Sequence, residues 1–377
     1  MTYDYAPAMS LIKQVEVASS LRPNTISLAQ GTPAIDTPLP IVKAAAMALL
    51  SGKASAYTDS RGLPELRKAI SSHLYERGMS YDWQNEIVVT SGASEAIVAC
   101  IKAVLTNQKK EVIITSPSYA GYPAMISVAG GQAQHCPLTD GTWELNTAAL
   151  EKRITANTAA ILLANPNNPT GTIFSKPTLL ALAKLAKKHM IMLILDEVYS
   201  DLILSDSQFY SPATDSNLKD SIIRIHSLSK TFAMTGWRIA YVHGPVEVMK
   251  RITAIHDSIA TCTSAASQYA CLEIFNNYSA LAIPMQQFLQ RQLTIASELL
   301  SDFITLSPSA AYFLFIRTPI HGNEVAADLL SNYGVAVVPG EAFGPTTKNY
   351  IRVCFGRPEA DVKKGCKAIN KYLKELV

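Results

Sequence analysis

Lys230 sits in the run Ser227-Leu228-Ser229-Lys230-Thr231, and Arg238 follows eight residues after it. A primary amine flanked by hydroxyls and followed by a guanidinium can meet an aldehyde while a phosphate is held nearby by charge and hydrogen bonds. The plain alternative is a surface lysine in a turn. In Ile194-Leu195-Asp196-Glu197-Val198-Tyr199 a carboxylate ends an apolar run. A buried Asp needs a partner, a cation or an N–H donor, to keep its charge. Taken alone, the Asp-Glu pair also suits a helix cap or a metal ligand. Arg352, in Tyr350-Ile351-Arg352-Val353-Cys354-Phe355, offers a planar fork suited to bidentate capture of a carboxylate, or to an exposed salt bridge.

Three further segments are built to hold groups still. Asn165-Pro166-Asn167-Asn168-Pro169-Thr170-Gly171 is dense in turn formers, and a rigid loop is what an amide needs in order to point at one atom. Thr90-Ser91-Gly92-Ala93-Ser94-Glu95-Ala96 joins a strand pattern to a helix start, where free amides and the helix dipole favour an anion. Glu95 there reads as a helix-start acid. In Pro117-Ser118-Tyr119-Ala120-Gly121-Tyr122-Pro123 either tyrosine also reads as core.

These residues need a frame that gathers strand ends. Apolar and β-branched runs predict strands over 86–90, 111–115, 159–164, 191–195, 221–226 and 237–242, with helices over 39–50, 94–105 and 176–189. Such alternation implies an α/β fold, a mostly parallel sheet covered by helices, with ligands at the carboxyl ends of its strands. The link between the last two strands is too short for a crossover helix. Past Pro245 comes a long helical stretch and a second helix over 280–303. Strands over 311–316, 335–338 and 350–354 and a closing helix over 359–376 then form a smaller α+β domain.

At 377 residues two units are the better expectation. The division read from the sequence is 1–40 as an N-terminal arm and part of the small domain, 41–285 as the large domain, and 286–377 as the C-terminal small domain. A hydrophobic share of 48% with 17% charged residues excludes a disordered chain. A net charge of +3, with Lys and Arg dispersed, leaves no nucleic-acid footprint. Cys100, Cys136, Cys262, Cys271, Cys354 and Cys366 lack C-x-x-C spacing and read as buried thiols, not disulfides or metal ligands. No apolar run approaches the roughly 18 residues of a membrane span, and residues 1–20 lack a signal-peptide pattern, so a cytoplasmic protein is expected.

The ordered motifs from about residue 27 to 355 resemble those of class I/II aminotransferases, the fold-type I pyridoxal-phosphate enzymes. The resemblance implies pyridoxal 5'-phosphate as cofactor, carried by Lys230 as a Schiff base. It implies that Ser227 and Arg238 bind the phosphate, with Ser229 a weaker candidate, together with the turn Gly92, Ala93 and Ser94. By the same match Asp196 holds the ring nitrogen, Tyr199 and Asn168 meet the phenolic oxygen, and Tyr119 stacks on the ring. Arg352 matches the arginine that takes the substrate α-carboxylate, with Gly31 beside it. Tyr57 matches a tyrosine that reaches the phosphate of the neighbouring subunit, which implies a homodimer.

The implied activity moves an amino group between an L-amino acid and a 2-oxo acid in two half-reactions, with Lys230 as the general base. For that role Lys230 has to titrate well below the usual lysine value, by desolvation and by the nearby Arg238. A C–S β-lyase on the same scaffold and a non-catalytic cofactor-binding protein are the alternatives. In some bacterial aspartate aminotransferases a lysine in the phosphate turn meets the distal carboxylate of the substrate. Ser94 stands at the matching position, which favours neutral or aromatic amino acids.

Overall fold

The computed structural model describes residues 10–377. The first nine residues of the expected N-terminal arm lie outside the described residues. Twelve strands are found among the described residues: β1 (Ile26–Ser27), β2 (Ile87–Thr90), β3 (Glu111–Ser116), β4 (Gln132–Pro137), β5 (Thr158–Ala164), β6 (Met192–Asp196), β7 (Ile222–Ser227), β8 (Ala240–His243), β9 (Phe313–Arg317), β10 (Val335–Ala336), β11 (Val338–Pro339) and β12 (Tyr350–Cys354).

Seven of them form one sheet in the order β2-β8-β7-β6-β5-β3-β4. Only β8 runs against its neighbours, pairing antiparallel with both β2 and β7. The interior strands β5 and β6 are almost wholly apolar, and every residue of β5 and β7 is buried, as a parallel sheet with helices on both faces requires. The expected parallel α/β sheet is therefore present, and the short link between β7 and β8 explains the one reversal.

This topology sets the geometry of everything that follows. Thr90, Ser116, Ala164, Asp196 and Ser227 are the last residues of parallel strands. Since β8 is reversed, its first residue, Ala240, pairs with both Thr90 and Ser227 and so lies at the same edge. These six strand ends thus lie at one rim, joined there by five loops.

The remaining strands build a second region. β11, β12 and β9 form an antiparallel sheet, and β1 pairs parallel with β10. The N-terminal segment is stitched into this region on both sides: Leu28 donates to Ala336 O at 2.9 Å and accepts from Cys354 N at 2.8 Å. Helix Tyr278–Leu299 runs between the two regions. Its Tyr278 and Ala282 pack in the core of the large sheet, and Met285, Phe288 and Leu289 pack in the core of the smaller one.

Local departures from the sequence expectation have physical causes. The run 335–338 is not one strand but two, β10 and β11, which break at Val337 and join different sheets. Alternating hydrophobicity shows that a segment is extended, not which edge it pairs with. The expected strand over 237–242 begins only at Ala240, because Thr235–Trp237 is a 3-10 turn and Arg238 is left-handed at φ 54°. β4 was not expected at all. It is an edge strand with a polar sequence, largely exposed, and carries no apolar run.

Charge buried beneath the rim is paired. Glu197 is fully buried and takes a hydrogen bond from the guanidinium of Arg224, itself 1% exposed, which also reaches Ser200 Oγ at 3.4 Å. Burial pushes the Glu197 carboxyl up, and the guanidinium opposes the shift. Removing one partner would leave an uncompensated ion in a dry interior. Glu197→Ala is expected to destabilise the fold by about 3–5 kcal/mol, read from the midpoint of urea denaturation. A change within experimental error would mean that the pair does not contribute as described.

Candidate active site

The rim encloses a cavity, the kind of concave place with a few convergent polar groups where small molecules and cofactors bind. Ala93, Ser94, Tyr119, Asn168, Asp196, Tyr199, Ser227, Lys230 and Arg238 all line it. These are residues singled out in the sequence, drawn from five loops far apart along the chain. Tyr122, Ser229 and Thr235 line it as well.

Lys230 lies on the four-residue helix Leu228–Thr231, which Ser227 caps by accepting from Ser229 N at 3.2 Å. Its Nζ donates to Gly31 O at 2.9 Å, a carbonyl that also accepts from Tyr312 Oη at 2.8 Å. Burial, reinforced by the positive charges of Arg352 and Arg238 and partly opposed by Asp196, lowers the Lys230 amine to about 8. A substantial fraction is therefore neutral near physiological pH, as a nucleophile or base requires.

Asp196 closes β6 and is 5% exposed. Burial raises its carboxyl, and hydrogen bonds from Tyr122 and from the Val198 amide hold it down. The two oxygens differ. Oδ2 accepts from Tyr122 Oη at 2.7 Å, whereas Oδ1 has only the Val198 amide at 3.4 Å. One oxygen is thus left for a donor in the cavity, which suits a protonated ring nitrogen.

At the other end of the cavity, helix Ala93–Val104 begins at Gly92 with no side-chain cap, so its first amides stay available to an anion. Gly92 has φ 88°, and a Cβ there would collide with the Arg238 guanidinium. The left-handed backbone at Arg238 and the bare Cα at Gly92 together let the guanidinium lie against the helix start. Glu95 turns away, accepting from Ser91 N at 3.0 Å and facing His256 Nδ1 at 3.2 Å. Ser229 Oγ is buried with no partner. Uncapped amides, a guanidinium and an unused hydroxyl fit a phosphate. With the carboxylate at the far end, the donor set fits a phosphorylated pyridine aldehyde.

Arg352 on β12 is 1% exposed, lies over the Phe313 ring at 4.3 Å, and faces the Phe343 ring at 5.0 Å. Its Nη1 donates to Asn168 Oδ1 at 3.1 Å and its Nη2 to Ala29 O at 2.5 Å, while Nε is buried without a partner. It is therefore not an exposed strand arginine. Because Asn168 turns its oxygen to Arg352, its amide nitrogen is the group left for the cavity. Tyr199 is buried, with its ring edge-on to that of Tyr312 at 5.6 Å. Tyr57 stands apart: it is 83% exposed and does not line the cavity.

Sequence reasoning passed over Tyr122 as core. Its ring is indeed fully buried and meets Tyr119 edge-on at 5.4 Å and 84°. A phenol so placed needs a partner for its hydroxyl, but no local pattern names one 74 residues away.

The sequence model of "Aminotransferase class I and II" matches residues 23–369. YugH of Bacillus subtilis, described as an aminotransferase, is 35% identical over 92% of this chain and 91% of its own length. Among solved structures, the aspartate aminotransferase of Thermus thermophilus with maleate superposes with a TM-score of 0.90 at 30% identity, covering 98% of this chain and 97% of that one. The aromatic aminotransferase of Pyrococcus horikoshii gives 0.89 at 30% identity, covering 96% and 99%.

The lowered amine has a direct readout. Below about 8 the Lys230 amine is protonated and inert, and it becomes reactive as pH rises through that value. Labelling of Lys230 by an amine-selective reagent, followed by peptide mass spectrometry on cofactor-free protein, is expected to show its midpoint near there. A midpoint at the ordinary lysine value of about 10.4 would contradict the site as described.

Proposed function

Because the chain belongs to the class I and II aminotransferase family, and is an aminotransferase exchanging amino groups between amino acids and 2-oxo acids, we propose that it works with pyridoxal 5'-phosphate held at Lys230. The observation that carries this reading is one cavity that unites an amine titrating near 8, a carboxylate with one uncommitted oxygen and a guanidinium beside an uncapped helix start. The C–S β-lyase alternative is not favoured, since the relatives are named as aminotransferases.

The cofactor supplies an aldehyde that takes an amine and a ring that withdraws electrons from the substrate Cα. This chain supplies the rest. Arg238, Ser227 and the turn Gly92, Ala93 and Ser94 hold the phosphate. Asp196 accepts the ring N–H, Tyr119 covers the ring, and Tyr199 and Asn168 donate to the phenolic oxygen. Arg352 takes the α-carboxylate beside Gly31, which fixes the Cα–H toward the rim. Lys230 then takes that proton at Nζ and returns it to the neighbouring carbon, a transfer open only to the neutral amine.

The named substrates of similar structures differ, aspartate in one and aromatic in another, at the same 30% identity. We favour a neutral or aromatic amino acid, since Lys230 and Arg238 are the cations lining the cavity among the described residues and both are already assigned. The same reading makes the enzyme a homodimer in which the exposed Tyr57 meets the phosphate of the partner subunit, divided into domains at 40/41 and 285/286. Five buried thiols of the six suit a reducing cytoplasm. No helix among the described residues is long and apolar enough to cross a membrane.

Lys230→Ala is expected to leave cofactor binding measurable and to abolish transamination, and wild-type turnover in this variant would refute the assignment. In a panel of amino donors assayed against 2-oxoglutarate and pyruvate, neutral or aromatic donors should give the highest kcat/KM. A clear preference for aspartate would refute the substrate reading. Release of pyruvate and ammonia with no added 2-oxo acid would restore the lyase.

A further inference from the structure

Asp196 is the only carboxylate lining the cavity among the described residues, and its ionisation is opposed by its own burial. The groups around it are Lys230, Glu197, Tyr119, Tyr199 and Cys100. Lys230 alone among these favours the charge, and in the active enzyme its nitrogen is engaged elsewhere. The remaining stabilising contact of normal length is the phenol of Tyr122, whose Oη donates to Oδ2 at 2.7 Å. Tyr122 is 0% exposed, and burial drives its phenol well above the ordinary value, so it stays a neutral donor throughout the working range.

The donor is also firmly aimed. Tyr122 opens the helix Tyr122–Val128, its amide donates to Tyr119 O at 3.0 Å, and its ring abuts that of Tyr119. The helix and β3 therefore place one phenol against the carboxylate at the end of β6, across the intervening β5.

Resting on the pyridoxal-phosphate reading above, we propose that Tyr122 is a positioning residue: it fixes Oδ2 of Asp196 so that Oδ1 stays ionised and directed at the ring nitrogen of the cofactor. A hydrogen bond to a carboxylate favours its charged form, and holding one oxygen leaves the group a single direction in which to accept. Tyr122 thereby acts on the electron sink from behind, touching neither substrate nor cofactor through its hydroxyl. Its ring, by contrast, only buttresses Tyr119, and Phe at this position retains that contact.

The test compares cofactor-free wild type with Tyr122→Phe, measuring the dissociation constant for pyridoxal 5'-phosphate and for its 1-deaza analogue, in which carbon replaces the ring nitrogen. The variant should bind the natural cofactor about ten-fold or more weakly, in keeping with loss of a hydrogen bond to a charged group, and bind the analogue nearly as wild type does. In an Asp196→Asn background the Phe substitution should have no further effect on cofactor affinity, because the interaction is already absent. Equal losses for cofactor and analogue, or no loss for either, overturn the proposal, the first because the residue then acts by packing alone. Should the variant not fold, carbon-13 NMR of aspartate-labelled wild-type apoprotein decides, with Asp196 identified by its absence in Asp196→Asn: an ionised carboxylate at neutral pH is expected and a neutral one overturns the proposal. Failure of the wild type to bind either compound would overturn the parent reading, a result distinct from the others.

Discussion

Two carboxylates sit side by side at the dry end of a central strand, and the structure around them is arranged so that neither is left alone. Asp196 and Glu197 follow each other at the end of β6, where neighbouring strands exclude water. An ion there is tolerable only with partners, and adjacent residues on a strand point to opposite faces. Glu197 finds Arg224 on β7, and Asp196 finds Tyr122 beyond β3. The sheet order therefore serves electrostatics as much as packing, since it delivers a cation to one face and a phenol to the other.

The opposite end of the cavity solves the inverse problem, gathering positive potential without burying a lone cation. The reversed strand β8 is decisive here. Because it starts where its antiparallel neighbours β2 and β7 end, Arg238 arrives at the rim just ahead of it, against the start of helix Ala93–Val104. Had the chain returned through a crossover helix, the segment carrying Arg238 would have met the far edge of the sheet. The left-handed backbone at Arg238 is the local cost of that approach.

Between these poles the two regions of the molecule are joined through the site itself. Arg352 comes from the smaller sheet, yet its hydrogen bonds go to Asn168 on the large sheet's rim and to Ala29 in the N-terminal segment. Lys230 reaches Gly31 in that same segment. Farther out, Asp140 accepts from Tyr350 Oη at 2.6 Å and pairs with Arg317 at 3.2 Å, so the paired ends of β12 and β9 are tethered just ahead of Arg352. A carboxylate captured at Arg352 would therefore act on contacts that hold the regions together.

The chain by itself determined the elements and the identity of most groups in the cavity. Continuous apolar runs marked the strands β5 and β6 almost to their ends, because a strand buried on both faces holds mostly apolar residues. Lys230, Asp196, Arg238 and the Asn168 loop stood out because amine, carboxylate, guanidinium and turn residues are chemically unusual where strands end, and Arg352 because a guanidinium is unusual within an apolar strand. Tertiary structure alone decided how these groups are partnered. Nothing local shows that 335–338 divides between two sheets, that Gly92 lies against Arg238, or that the phenol of Tyr122 belongs to Asp196. Local sequence carries conformational preference and burial, whereas the direction of a hydrogen bond depends on which strands become neighbours, and that is settled only when the whole sheet has formed.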